Sequence, residues 1–225
     1  MKILVCGDVH GEFSLFNRFL NTERPNIVLQ CGDFGYWPKF FNTTYLNMYG
    51  RRQLWQAEIK NKNTKIFWCD GNHEDHESLK NRKTEELWPG VYYMERGSVL
   101  VLPDGRKVLF IGGAYSIDKE YRTAGYDWFP DETITQRDIE ELPDDKIDVV
   151  ISHTAPIEFD VKDPRKEFRT IPDPSRDALS FVYNKYKPKR WFFGHFHFHT
   201  NGRHNDCYWT ALSNIGSDQR WYTKF

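Results

Sequence analysis

Two carboxylates, an amide and five imidazoles stand in this chain in groupings that suit metal ions. The segments read Gly7-Asp8-Val9-His10-Gly11, Gly32-Asp33, Gly71-Asn72-His73-Glu74, Ser152-His153 and Gly194-His195-Phe196-His197. Residues i and i+2 of an extended segment point to one side, so Asp8 with His10, and His195 with His197, are each expected to grip one ion together. A carboxylate such as Asp33 can bridge two ions through its two oxygens, Asn72 offers a neutral carbonyl oxygen, and His153 adds another imidazole. Mixed nitrogen and oxygen donors without thiolate suit Mn first, with Fe, Zn or Ni as alternatives, better than Ca or Mg. Two carboxylates against two divalent ions leave the site net positive, which favours a hydroxide between the ions and an anionic substrate such as phosphate. The chemistry implied is two-metal hydrolysis, with both oxygens of an in-line displacement clamped.

Taken singly, each segment has an ordinary explanation: Asp8 as a helix cap, Asn72 as a turn residue, Gly194–His197 as a solvated turn. The coincidence is what argues. Most of the segments close an apolar run that reads as a buried strand, so their side chains should meet at one edge of a sheet.

The strands expected are Lys2–Cys6, Asn26–Cys31, Lys65–Cys69, Val99–Leu102, Lys107–Ile111, Asp148–Ser152, Arg190–Phe193 and Cys207–Leu212. Several are continuous Val/Ile/Leu/Phe runs, as expected of strands covered on both faces. Pro103-Asp104-Gly105-Arg106 is a turn signal that makes Val99–Ile111 a hairpin. Helices are expected over Glu12–Leu20, Thr44–Asn61 and Ser175–Lys187, with caps at Asn42-Thr43-Thr44 and at Ser175. Strand and helix alternate in the first half and a hairpin interrupts the middle, so a mixed two-sheet α/β sandwich fits better than a doubly wound parallel sheet. Residues 118–132 and 160–174 read as surface loops of the kind that carry specificity.

Length and composition set the bounds. With 225 residues, one domain over 1–225 is expected. A formal net charge of −1 gives no global basic field, so bulk polyanion binding is not indicated. No run is apolar enough for a signal peptide or a membrane span. Cys6, Cys31, Cys69 and Cys207 lack metal-knuckle spacing. They read as reduced, buried thiols, and so point to the cytoplasm.

In order and spacing, the blocks D-x-H, G-D, G-N-H-[DE], a lone His and G-H-x-H resemble the calcineurin-like metallophosphoesterase superfamily, its small bacterial and phage members in particular. The resemblance runs from Asp8 to His197. It implies a four-layer α-β-β-α sandwich with the site at the strand ends. It also implies a first metal held by Asp8, His10 and His197, a bridging Asp33, and a second metal completed by Asn72, His153 and His195. His73 would not ligate but would stand over the leaving group as general acid, with Glu74 or Asp75 as candidates to orient it.

Departures from the family bear on the substrate. The serine/threonine phosphatase branch carries G-D-x-x-D-R-G and an Arg before G-N-H-E. Here Tyr36 and Trp37 take the first Asp and Arg positions and Asp70 takes the later Arg, which disfavours a protein phosphatase. Lys119 or Arg122, in the stretch after Gly112-Gly113, are the candidates to contact phosphate instead. The aromatics Tyr36, Trp37, Phe40, Phe41, Tyr45 and Tyr49 read as a packing face before they read as a nucleobase stack, given the i, i+4 pair Tyr45/Tyr49. His76, His199 and His204 read as surface histidines. The substrate expected is a phosphate ester, phosphodiesters ahead of phosphomonoesters, with a nucleotide or nucleic acid as the guess. The alternatives are a phosphomonoesterase and a non-catalytic relative that binds a partner.

Overall fold

The computed structural model describes residues 1–41, 58–162 and 172–225, together with the backbone of 44–46 and 52–54. In chain order the elements are β1 Ile3–Cys6, α1 Phe13–Glu23, β2 Ile27–Gln30, β3 Thr44–Leu46, β4 Arg52–Leu54, β5 Lys65–Trp68, α2 His76–Lys80, β6 Glu86–Trp88 and β7 Val91–Tyr93. They continue with β8 Val99–Val101, β9 Lys107–Ile111, α3 Gln136–Glu140, β10 Val149–Ser152, α4 Pro174–Tyr186, β11 Arg190–Phe193, β12 Thr200–His204, β13 Cys207–Ala211 and β14 Tyr222–Lys224.

Two six-stranded sheets form, in the orders β14-β1-β2-β5-β7-β6 and β12-β13-β11-β10-β9-β8. In each, the inner strands run parallel and the edge strands antiparallel, so both sheets are mixed. The period-2 alternation of the strands sorts their side chains into layers. Ile3 and Val5 of β1, with Val108 and Phe110 of β9, fill the space between the sheets. Leu4 and Cys6 face the outer layer that α1 covers, and Leu109 and Ile111 face the layer that α4 covers. Hence the inner strands are apolar without a break, and the stack is α-β-β-α.

Helix α1 buries Phe13, Phe16, Asn17, Phe19 and Leu20, a stripe at 3- and 4-residue spacing. Phe16 alone, fully buried, contributes about 1.5–3 kcal/mol. The helix stops where Arg24 turns left-handed (φ 48°) ahead of Pro25. Helix α4 begins one residue earlier than expected. Its cap is Asp173, which accepts from the Ser175 backbone N–H with Pro174 as the first helical residue, so Ser175 is not the cap. The hairpin expected over Val99–Ile111 is β8 paired with β9.

The helix expected over Thr44–Asn61 is not what the described backbone forms. β3 pairs antiparallel with β4 there, and the amide of Asn17 binds the backbone of Glu58 and Lys60 at both its ends. Thr and Tyr favour the pleated strand, and Gly50 mid-span weakens a helix. The remaining expectations for this span, the caps at Asn42 and Thr43 and the pairing of Tyr49, lie outside the described residues, as does part of the 160–174 loop. Of the other aromatics, Tyr36 and Phe41 pack with Trp88 against the core, which makes them a packing face.

Candidate metal centre

Five inner strands end at one edge, and the chemistry sits in the few residues after each. β1 delivers Asp8, β2 Asp33, β5 Asn72, β10 His153 and β11 His195. Backbone hydrogen bonds then lock these ends to one another. Val9 and His10 N–H donate to the Asp33 carbonyl at 2.9 and 2.8 Å, Gly194 N–H to the His153 carbonyl at 3.0 Å, and His195 N–H to the Asp8 carboxylate at 3.1 Å.

Two donor clusters result. In the first, Asp8, His10, Asp33 and His197 bring one ligand atom each to within 4.8 Å of one another. The Nε2 atoms of His10 and His197 face each other at 3.0 Å, and both approach Asp8 Oδ2, at 3.8 and 3.0 Å. In the second, Asn72 Oδ1 lies 3.0 Å from His153 Nε2 and 3.1 Å from His195 Nδ1. Asp33 belongs to both. Its Oδ1 is 3.3 Å from His153 Nε2 and its Oδ2 is 3.7 Å from His10 Nε2, so each oxygen serves one cluster. His153 is oriented from behind: Nδ1–H donates to the Cys31 carbonyl at 2.8 Å, which turns Nε2 inward.

The donor set fits cations. Asp8 and Asp33 are 0% and 1% exposed, and among the described residues their ionic partners are histidines, with no Lys or Arg. Buried carboxylates in that state call for positive charge. Burial pushes the Asp8 and Asp33 carboxyls up, yet the hydrogen bond from His197 and the field of His153 hold Asp8 low, and the fields of His153 and His73 hold Asp33 well below its ordinary range. Burial opposes charge on His153 too, but Asp33 outweighs it and raises the imidazole to about 10. His195, buried beside His153, falls to about 3.

The backbone bends hard to make this arrangement. His10, Asp33, His195 and His197 all have left-handed φ, between 49° and 66°, at a cost of about 1–2 kcal/mol per residue. The bend corrects one expectation. His195 and His197 are not extended and do not share a cluster; the turn sends His195 to the second cluster and His197 to the first. Two glycines make room: a β-carbon at Gly194 would sit 1.9 Å from Asp8 Oδ1, and one at Gly71 would sit 2.1 Å from Asp33 Oδ1.

A cleft of about 470 Å³ opens over the clusters. His73 lines it, its backbone N–H donating to Asp33 Oδ1 at 2.8 Å. Burial lowers the His73 imidazole to about 4, with Asp33 pulling up and His10 and Arg122 pushing down, so the resting ring is neutral. Arg122 also reaches the cleft and donates from Nη2 to His73 Nε2 at 3.0 Å, while Asp118 holds the guanidinium at 2.9 and 3.0 Å. Lys119 does not line the cleft. Its ammonium lies over the Tyr115 ring at 4.9 Å.

Neither acid expected to orient His73 does so. Glu74 is fully buried and accepts from the backbone N–H of Gly35 and Gly71 at 3.0 and 2.7 Å, while Asp75 caps α2. His76 is not a surface residue: it is buried, with Nε2 at 3.0 Å from the Gly71 carbonyl. Asp70 pairs with the buried Arg96 at 2.6 and 3.1 Å, so it is structural. The sequence reading missed Asp118, whose signal was its place four residues before Arg122, and Ser116, which accepts from Asn72 Nδ2–H at 3.0 Å.

The calcineurin-like phosphoesterase family model matches residues 1–199, which takes in every strand end described above. The chain belongs to the calcineurin-like phosphoesterase family. Members are metal-dependent, and the cluster of Asp8, His10, Asp33 and His197 could hold a metal ion. No curated protein matches the chain in sequence. Solved structures similar to it include the phosphopantetheinyl hydrolase of Mycobacterium tuberculosis, at 12% identity and TM-score 0.49 over 100% of this chain and 95% of that one. An archaeal phosphodiesterase matches at 12% identity and TM-score 0.44, covering 100% of this chain and 99% of the other. An anchor protein of the inner membrane complex of Plasmodium matches at 12% and 0.45, over 95% and 71%. Among the described residues no helix is long and apolar enough to cross a membrane.

Proposed function

We propose that this chain is a binuclear phosphoesterase, a hydrolase of ester bonds, that acts on phosphodiesters of nucleotide size. The observation that carries the reading is Asp33, whose two oxygens each face a separate cluster of nitrogen and oxygen donors. Asp8, His10 and His197 would hold one ion and Asn72, His153 and His195 the other, with Mn the metal that suits the donors best. Two such ions, when bound, lower the pKa of a water between them and offset charge on the phosphoryl oxygens.

The chain's own residues do the rest. His73 lines the cleft beside the clusters; with Nε2 accepting from Arg122, its neutral ring carries its proton on Nδ1, and that N–H is the donor it offers the leaving oxygen as general acid. Arg122, fixed by Asp118, holds the His73 ring and presents donors to a non-bridging phosphate oxygen. Ile117, Ile157, Val161 and Phe196 also line the cleft. They offer an apolar wall for the organic part of the ester, and the volume suits a small molecule. Residues 1–225 act as one catalytic domain on this reading. The segment beyond residue 199 supports it, since β12 and β13 complete one sheet and β14 the other. Four free, buried cysteines support a reducing compartment, the cytoplasm.

The test is hydrolysis of bis(p-nitrophenyl) phosphate and p-nitrophenyl phosphate side by side, by chelator-stripped protein given Mn. Metal-dependent turnover with the diester favoured is expected. A monoester preference would replace the diesterase reading with a phosphatase, and no turnover with Mn, Fe, Ni or Zn would favour a partner-binding relative.

A further inference from the structure

Asn72 is the one metal-facing side chain of the five strand ends whose donor and acceptor ends are nearly the same shape. If its amide were turned over, it would present N–H groups to a cation and repel it. Something must therefore fix the orientation, and the loop after β9 supplies a chain of hydrogen bonds whose directions are all determined. Glu132, 1% exposed, accepts from the Ser116 backbone N–H at 2.7 Å and from the Ser116 hydroxyl at 2.8 Å. With its proton spent on Glu132, the Ser116 Oγ can only accept, and it takes the Asn72 Nδ2–H at 3.0 Å. Asn72 Oδ1 is thereby turned toward His153 Nε2 and His195 Nδ1.

We infer that Glu132 and Ser116 are positioning residues for the second metal, acting through Asn72; the inference rests on the two-ion reading above. Glu132 is itself held through its backbone. Its carbonyl accepts from Ala114 N–H at 3.0 Å and from Arg96 Nη2 at 3.1 Å, and Arg96 is clamped to the buried Asp70. The residue that replaces the phosphatase-branch arginine thus anchors the loop that aims Asn72. The same loop carries Arg122 to His73, so one segment, 112–132, supports both chemical residues of the Gly71-Asn72-His73 block.

Reversing the polarity of the chain gives the test. In Glu132→Gln the amide oxygen keeps the Ser116 N–H, and the amide N–H₂ donates to Ser116 Oγ. The serine hydroxyl, having lost its own acceptor, then turns its proton to Asn72, and an amide turned over, with Oδ1 toward the serine, accepts it. The measurement is Mn bound per chain by metal analysis and by the electron paramagnetic resonance signal of the coupled pair, with the melting temperature as a fold check. Wild type is expected to bind two ions. Glu132→Gln should keep the first ion and weaken the second about 10–100-fold, the usual cost of losing a residue that orients a ligand. Adding Asn72→Asp to Glu132→Gln should restore the second ion, because a carboxylate accepts from the reversed serine and still ligates.

A merely structural glutamate would not be rescued by a change at Asn72. Wild-type affinity for both ions in Glu132→Gln, equal loss of both, or failure of the double variant to recover would each overturn the assignment. If Glu132→Gln does not fold, Ser116→Ala, which removes the acceptor for Asn72, should lose the second ion selectively, and retention of both would overturn it. A wild type that binds a single ion overturns the two-ion reading itself, a result distinct from the others.

Discussion

Asp33→Asn should lose at least about 10³-fold in turnover and weaken both ions at once. Among the described residues Asp33 is the one side chain whose oxygens face both clusters, Oδ2 toward His10 and Oδ1 toward His153. The substitution removes a full charge and turns one oxygen into an N–H₂ group aimed at a cation. Charge stabilisation by the ions is worth several kcal/mol, and about 4 kcal/mol is a factor of about 10³ in rate. The other ligands belong to one cluster each, so His197→Ala or His195→Ala should spare one ion while Asp33→Asn spares neither. Metal content and kcat on bis(p-nitrophenyl) phosphate, measured on the same preparation, check this. A variant that holds both ions and turns over like wild type would remove Asp33 from its bridging role.

His73→Ala should separate metal binding from proton delivery. The imidazole hydrogen-bonds Arg122 and meets the His10 ring only edge-on, at 5.3 Å between centroids, and its backbone, not its ring, hydrogen-bonds Asp33. Both ions should therefore stay. Turnover of esters with alkyl leaving groups should fall about 10²–10⁴-fold, the range for losing a positioned proton donor. The p-nitrophenolate leaving group needs little protonation, so p-nitrophenyl esters should lose far less. Equal losses across leaving groups would make His73 a phosphate-binding or structural residue, and wild-type rates on alkyl esters would remove it from the chemistry.

The residues of the two donor clusters were legible as neighbours in the sequence because most closely follow an inner strand. An unbroken apolar run fixes a buried strand, a parallel sheet points all its inner strands one way, and the residues after each strand then fall at the same edge. That logic placed Asp8, Asp33, Asn72, His153 and His195. It did not extend to His197: the segment after β11 turns through left-handed His195 and His197 and sends their rings to different clusters, whereas Asp8 and His10 stay together although His10 is left-handed too. It also failed for groups that orient the ligands. Glu132 and Asp118 sit in a loop without periodicity, and the residues they help to place, Asn72 and His73, are dozens of positions away, so only the folded chain joins them. The strands β6, β7, β12 and β14 went unread for a related reason: β6, β7 and β14 have three residues each, β12 (Thr-Asn-Gly-Arg-His) is polar throughout, and all four pair at or near sheet edges, where propensity is weak.

The most direct test of the binuclear account is a titration of chelator-stripped protein with Mn, with hydrolysis of bis(p-nitrophenyl) phosphate followed at each addition. Activity that stays low through the first equivalent and rises to its plateau at two per chain is the predicted result. Full activity at one equivalent, or activity that ignores the metal, would contradict it.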